Sequence, residues 1–342
     1  VTEDDLVAAI RAAPDDDAPR MVYADWLQAR GDPLGEWIAL SLGLGLDGLP
    51  FGSPRRRDAE RRLDALAVEL AWQQRFGVDV GFERGLVSKL SLPARDLTRP
   101  DAAWRGTLVR ELALVSRRPP PDKRSLLADA IARMAVRALR VEWQLDRDEL
   151  AALLAACPDL VALELAPTQL GDALGNVIAD AHLPQLARLV ATGHAWEREA
   201  YQLGDRGAEA LAEAAWGDSL RELVLRELRI GAPGAATLVD GRLPLDVLDL
   251  SRNPIGPAGV IAMLRQPGIR RLRTLALAGC GIDDAVASAI AGTRALAQLR
   301  RLVLWEPGVD SLMTAAAIGR LERSPNLSRR LELVVWRDSI DD

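Results

Sequence analysis

Ten times along this chain the frame LxxLxL or a weaker copy of it recurs, headed nine times by leucine or valine, at intervals of 22 to 34 residues. A fixed period of that length constrains the fold more than any other property of the sequence, because it marks a stack of like units. The clearest unit is LDVLDLSRNPIGPAGVIAML, where Leu245, Leu248, Leu250, Asn253, Ile255, Gly256 and Gly259 read LxxLxLxxNxIGxxG. The apolar trio returns at Leu272, Leu275 and Leu277, at Leu299, Leu302 and Leu304, and upstream at Leu220, Leu223 and Leu225. Weaker copies start at Val87, Val109, Val136, Leu160 and Leu186, and a last one at Ser328 has Leu331 and Leu333 in frame. The LxL portion predicts a short strand with alternate side chains turned inward, and the Ala-rich stretch after it predicts a returning helix. One unit cannot bury its own apolar face, so the units must stack. The expected product is an α/β solenoid with a curved parallel sheet inside and helices outside.

This frame resembles the ribonuclease-inhibitor-like class of leucine-rich repeats over roughly residues 85 to 336. The resemblance implies units near 28 residues with full helices. Asn253 is the one turn asparagine in frame; Cys280, Leu228, Gln144 and Thr168 stand at or near that place elsewhere. The interval of 34 residues holds GHAWEREAYQLGD, an insertion spanning about 194–205 that should bulge between strand and helix.

The N-terminus reads differently. Residues 2 to 13 predict a helix with Thr2 as N-cap and acidic residues in its first turn. A second helix should follow Asp17, with Pro19 in its first turn and the pairs Val22 with Trp26 and Tyr23 with Leu27 at i,i+4 spacing, until Gly31. DPLGEWIAL starts a third. The blocks YADWL, RGDP and GEWI, in that order, resemble a short bacterial repeat-companion domain found at the N-terminus of repeat-containing proteins. That likeness implies architecture and a bacterial source. GLDGLPFGSP then reads as a linker and RRRDAERRLDALAVELAWQQRFG as a charged amphipathic helix over the first strand. The expected division is a small all-α module at 1–46, a linker and capping helix at 47–84, and a solenoid of about ten repeats at 85–342.

Composition narrows the function classes. The chain has 342 residues, with 43 basic against 49 acidic side chains and a net charge of -6, which disfavours nucleic acid as a partner. Two distant cysteines, Cys157 and Cys280, make no disulfide framework or zinc site and fit a reducing, cytoplasmic setting. The acidic N-terminus has no signal-peptide pattern, and no apolar run is long enough to span a membrane.

No motif carries catalysis. GLGLDG at 43–48 spells GxGxxG, but it follows a helix rather than a strand, so no dinucleotide turn is expected. His182 and His194 lack metal-ligand spacing, and Asp15, Asp16 and Asp17 are consecutive where a calcium loop needs alternation. Arg55, Arg56, Arg57, Arg61 and Arg62 interleave with Asp58, Glu60 and Asp64 as on a solvated helix face. Neither a cofactor nor a metal is expected.

Binding is assigned instead to the concave strand face. From the frame, Arg140, Glu142, Trp143, Glu164, Arg188, Arg226, Asp249, Arg252, Arg301, Trp305, Glu306 and Glu332 should point to solvent there, with Val190, Val224 and Val303 as apolar positions among them. Trp beside Arg is the residue mix of binding hot spots, which singles out Trp305 with Arg301. The expected function is a non-catalytic scaffold or regulator binding a protein or peptide. An activator or inhibitor of an enzyme such as a small GTPase or nuclease is the alternative, and an enzyme with a nucleotide site is a third. The last strand, with little chain after it, is an edge open to a partner or to self-association.

Overall fold

A computed structural model describes residues 1–46, 50, 52–76, 80–93, 96–97, 106–115, 124–166, 171–193, 203–308 and 312–335. These residues form two compact units, Val1–Val136 and Arg137–Asp342.

The first unit opens with α1 (Glu3–Ala12), where the Thr2 hydroxyl accepts from the Asp5 N–H at 3.2 Å and the Asp5 carboxylate accepts from the Thr2 N–H at 2.8 Å. This reciprocal cap satisfies two otherwise orphaned donors. In α2 (Ala18–Gln28) the buried stripe is Tyr23, Ala24 and Leu27, whereas Val22 is 56% exposed. The expected Val22–Trp26 pair therefore lies off the core, and Trp26 carries the Arg30 guanidinium at 3.6 Å from its ring centroid instead. Gly31 ends the run at φ 72°, and α3 (Pro33–Leu46) turns back so closely that a Cβ on Gly35 would stand 2.6 Å from the Ala24 carbonyl. Gly43 falls inside α3, which removes the glycine string as a phosphate-binding turn. After α4 (Pro54–Glu69) and α5 (Trp72–Phe76) comes an antiparallel hairpin that the repeat frame does not foresee, β1 (Val80–Glu83) with β2 (Leu86–Pro93). Its turn places Arg84 and Gly85 both at positive φ, 51° and 80°, the twist that two-residue hairpins favour. Arg84 is tied to the Asp15 carbonyl and, at 3.1 Å, to Asp17, while Arg110 pairs with Asp15 at 3.2 Å and Glu83 at 3.3 Å. Phe82 packs between Trp37 and Trp72, with ring centroids 5.0 and 5.5 Å away. Strand β3 (Thr107–Val115) runs parallel to β2, and α6 (Arg124–Ala132) completes the unit.

The second unit is the repeat stack. Strands β4 (Ala138–Val141), β5 (Ala162–Leu165), β6 (Arg188–Thr192), β7 (Glu222–Arg226), β8 (Val247–Asp249), β9 (Thr274–Ala276), β10 (Arg301–Val303) and β11 (Glu332–Val334) pair in parallel, each with the next. Between them run α7 (Arg147–Ala155), α8 (Ala173–Asp180), α9 (Gly204–Ala212), α10 (Ala232–Leu238), α11 (Gly256–Met263), α12 (Asp284–Gly292) and α13 (Ala315–Glu322). Leu139, Leu163, Leu189, Leu223, Leu248, Leu275, Leu302 and Leu333 stand side by side across the strands. The first seven are no more than 2% exposed, and burying each leucine stabilises the stack by about 1.5–3 kcal/mol relative to exposure.

The frame thus matches the observed register from β4 to β10, but not at the last repeat. There Leu331, not Leu333, was expected beside Leu302; a turn closed by the Leu331 N–H on the Ser328 carbonyl at 3.0 Å takes up Leu331, and Leu333 moves into the file.

The turn asparagine does what its position requires. Asn253 accepts from the N–H groups of Leu228 and Ile230, both at 3.0 Å, and donates to the carbonyls of Leu225 at 2.7 Å and Leu250 at 2.8 Å. One repeat later the Cys280 thiol donates to the same Leu250 carbonyl at 3.1 Å. The insertion at 194–202, His194 and Trp336 with the tail after it lie outside the described residues.

Candidate functional site

Strand alternation sends the residues between the buried leucines to the opposite, open face of the sheet. There the charged side chains assigned from sequence assemble into two networks and a separate pair of Arg301 with Glu332. In the first, Arg140 pairs with Glu142 at 3.0 Å and Glu164 at 3.3 Å, and Arg188 pairs with Glu164 at 3.6 Å and Glu222 at 3.0 Å. Glu222 was not among the assigned residues, although the frame places it directly opposite Arg188. The five side chains are between 35% and 53% exposed, so each pair contributes only about 0.2–1 kcal/mol. Their effect is a fixed pattern of alternating charge.

The second network is tighter. The Glu306 carboxylate bridges Arg226 and Arg252; Arg226 also reaches Asp249 at 3.4 Å, and Arg252 reaches Glu227 at 3.3 Å and the Pro307 carbonyl at 3.1 Å. The Glu306 side chain is 17% exposed and that of Asp249 16%. Burial pushes the Glu306 carboxyl up, but the hydrogen bonds from Arg252 and Arg226 outweigh it and hold it below the usual carboxylate range. Arg226 moves the other way, since the bond to Glu306 and the surrounding carboxylates outweigh its burial.

Three rules of local structure build this site. Arg226, Ser251, Ala278 and Trp305 follow one another across β7 to β10 by continuation of the pairing register, and Glu227, Arg252, Gly279 and Glu306 form the next row. Glu227 at φ 57° and Arg252 at φ 61° take the left-handed conformation that Gly279 adopts at 72° in the same row. For a side chain with a Cβ that conformation costs about 1–2 kcal/mol. It turns Arg252, which alternation would have sent inward, toward Glu306. Trp143, at the same repeat position but without positive φ, keeps the alternation and is 6% exposed, with no hydrogen-bond partner for its indole N–H. Its assignment to the binding face is thereby corrected.

Arg301 pairs with Glu332 at 3.0 Å, two outward steps from half-buried Trp305 along the same strand direction. Between the charged groups lie the half-buried Val224, Val247, Val303 and Val334 and the nearly buried Val190. Glu227 and Ser251 were missed by the sequence reading; nothing in residue type announces a glutamate at positive φ.

Elsewhere the chemistry is sparse. Burial pushes the thiols of Cys157 and Cys280 up to about 12, so neither is a thiolate at neutral pH. Among the described residues there is no group of three His, Cys, Asp or Glu able to hold a metal ion, and no helix is long and apolar enough to cross a membrane. Arg56 with Glu60, Arg61 with Asp58 and Arg62 with Glu36 form the ion pairs expected of a solvated α4.

A leucine-rich-repeat family model matches residues 244–264, the unit in which Asn253 lies. No curated protein matches the sequence. Among solved structures, a chain of the yeast Rad7 and Elc1 complex is similar over 91% of this chain and 82% of its own, at 12% identity and a TM-score of 0.52. A Bacteroides fragilis protein aligns over 80% of this chain and 85% of its own (13% identity, TM-score 0.42), and a structure of a TLR13–ssRNA13 complex over 66% and 35% (16% identity, TM-score 0.36). The chain thus carries one leucine-rich repeat match, at residues 244–264, within the alternating strand-and-helix fold of a leucine-rich-repeat solenoid.

Proposed function

We propose that this chain is a non-catalytic interaction scaffold or regulator that holds a protein or peptide on the strand face of β4 to β11. The observation that carries this reading is the make-up of that face: valines lie between the arginine–carboxylate networks, with Trp305 at the end of the row that Arg226 begins. An apolar centre with a charged rim is the anatomy of a protein interface, and Trp and Arg are the residues that dominate binding energy. The contact residues proposed are Arg140, Glu142, Glu164, Arg188, Arg226, Asp249, Arg252, Arg301, Trp305, Glu306 and Glu332, with Glu222 and Glu227 added by the geometry. The test is quantitative capture from native lysate with the wild-type chain, Trp305→Ala with Arg301→Ala, and Arg206→Ala with Glu209→Ala on exposed positions of α9. Specific loss of a captured protein with the strand-face pair alone is the expected result. Equal recovery by all three baits removes the strand face as the binding surface.

A further inference from the structure

At the ends of β7 to β10 the strand face is built like an occupied receptor for a carboxylate. The row Arg226–Ser251–Ala278–Trp305 has large side chains at its two ends and small, buried ones between, with Ser251 1% and Ala278 0% exposed. In the next row Gly279 leaves the lane between Arg252 and Glu306 clear; a Cβ there would sit 3.3 Å from the Arg252 Cα. Arg226 and Glu306 stand on strands three apart, roughly 14 Å between backbones at ~4.8 Å per strand, and their side chains close that span over the small residues. Two guanidiniums converge on the one Glu306 carboxylate. Next to Arg226 in its row the Ser251 hydroxyl, which alternation sets on the same face as Asp249, is buried and has no hydrogen-bond partner. Two left-handed residues, Glu227 and Arg252, hold the arrangement at a cost in backbone strain, and strain of this kind persists where the surroundings over-determine it, as at ligand clamps.

We infer that Glu306 occupies a site for an acidic side chain of the partner, and that an aspartate or glutamate of the bound segment displaces it onto Arg226, Arg252 and the Ser251 hydroxyl. This rests on the strand face being the binding surface. The exchange is neutral in charge: one carboxylate leaves the two guanidiniums and another arrives, while Asp249 and Glu227 stay in place. Glu306 thereby acts as a built-in competitor, swinging out by rotation of its side chain while Leu304 stays in the core and bonded to Val334. It sets a threshold that isolated acidic residues do not pass and a segment also contacting Trp305 and the valines does.

The test is fluorescence-anisotropy titration of the full chain with a labelled, end-capped hexaglutamate peptide and with its hexalysine counterpart. The proteins are wild type, Glu306→Ala, Glu306→Gln, and Glu306→Ala combined with Arg226→Ala. Removing Glu306 is expected to tighten hexaglutamate binding at least tenfold in both single variants and leave hexalysine unaffected; the added Arg226→Ala returns it to the wild-type level, and Ser251→Ala in the Glu306→Ala background weakens it several-fold. Glu306→Gln keeps the volume and one hydrogen-bonding oxygen, so it controls for collapse of the Ala variant, and unchanged melting of each variant is checked first. No gain for hexaglutamate in either folded variant, or an equal gain for hexalysine, overturns the inference. If capture still depends on Trp305 and Arg301 in that case, the strand face stands as the binding surface and only the carboxylate receptor falls.

Discussion

Asn253 uses both ends of its amide on backbone groups from two repeats, and all of them are buried. Truncating it takes a partner from two N–H donors and from the Leu225 carbonyl in the core, while the Leu250 carbonyl keeps the Cys280 thiol, and each unpaired buried group costs about 1–3 kcal/mol. Asn253→Ala is therefore expected to lower stability by about 3 kcal/mol or more in urea unfolding, whereas Cys280→Ala, which loses a single weak donor, should cost about 1 kcal/mol. The cysteines give a second expectation. The unfolded thiol ionises near 9.0 and the buried one near about 12, so the folded state holds more protons between those values. Their contribution to stability is complete below pH 9 and falls as pH rises toward 12. A thiol reagent at pH 8 should label neither Cys157 nor Cys280 until the chain is unfolded; fast labelling of the native chain would contradict their burial. Asn253 and Cys280 were legible at this scale because the frame fixes both place and task. Glu227 was not, since its outward direction depends on a positive φ of 57° that its residue type does not announce.

Strands and helices were legible where their period was clean. Leu220, Leu245, Leu272 and Leu299 head repeats whose strands begin two residues later, as the alternation requires. Leu248→Ala, in the middle of the leucine file and 0% exposed, is expected to cost about 2–5 kcal/mol, measured by urea unfolding. What joins helix to helix was less visible. The Asp205 carboxylate of α9 accepts from Gly231 N–H at 2.7 Å and Gly234 N–H at 3.0 Å, capping α10 one repeat on. Asp205→Ala should thus behave as loss of an N-cap, about 1 kcal/mol, with amide exchange rising first at the start of α10; unchanged exchange there would leave the cap without energetic weight. The β1–β2 hairpin escaped the sequence reading because Arg84–Gly85 is not the usual Asn–Gly pair. Arg84 holds its left-handed turn with its guanidinium anchored on Asp15 and Asp17, a link across 67 residues to Asp17 that no local pattern shows. The slip at β11 has a similar origin in a single turn at Ser328.

For the molecule as a whole, a net charge of -6 is distributed so that the arginines of the strand face are each answered by carboxylates rather than gathered into a basic stripe. That pattern suits selection among protein surfaces by matched charge. The leucine file lies on the opposite side of the strands from these side chains, so substitutions on the strand face leave it intact. The surface can be probed without unfolding the protein. The most direct measurement places a photo-crosslinking residue at Val224 on the strand face, or at Glu209 on exposed α9, in the full chain in its native cells. Crosslinks to a discrete partner from Val224 and none from Glu209 are expected. Crosslinks from Glu209 alone would contradict the strand face as the place where this protein meets its partner.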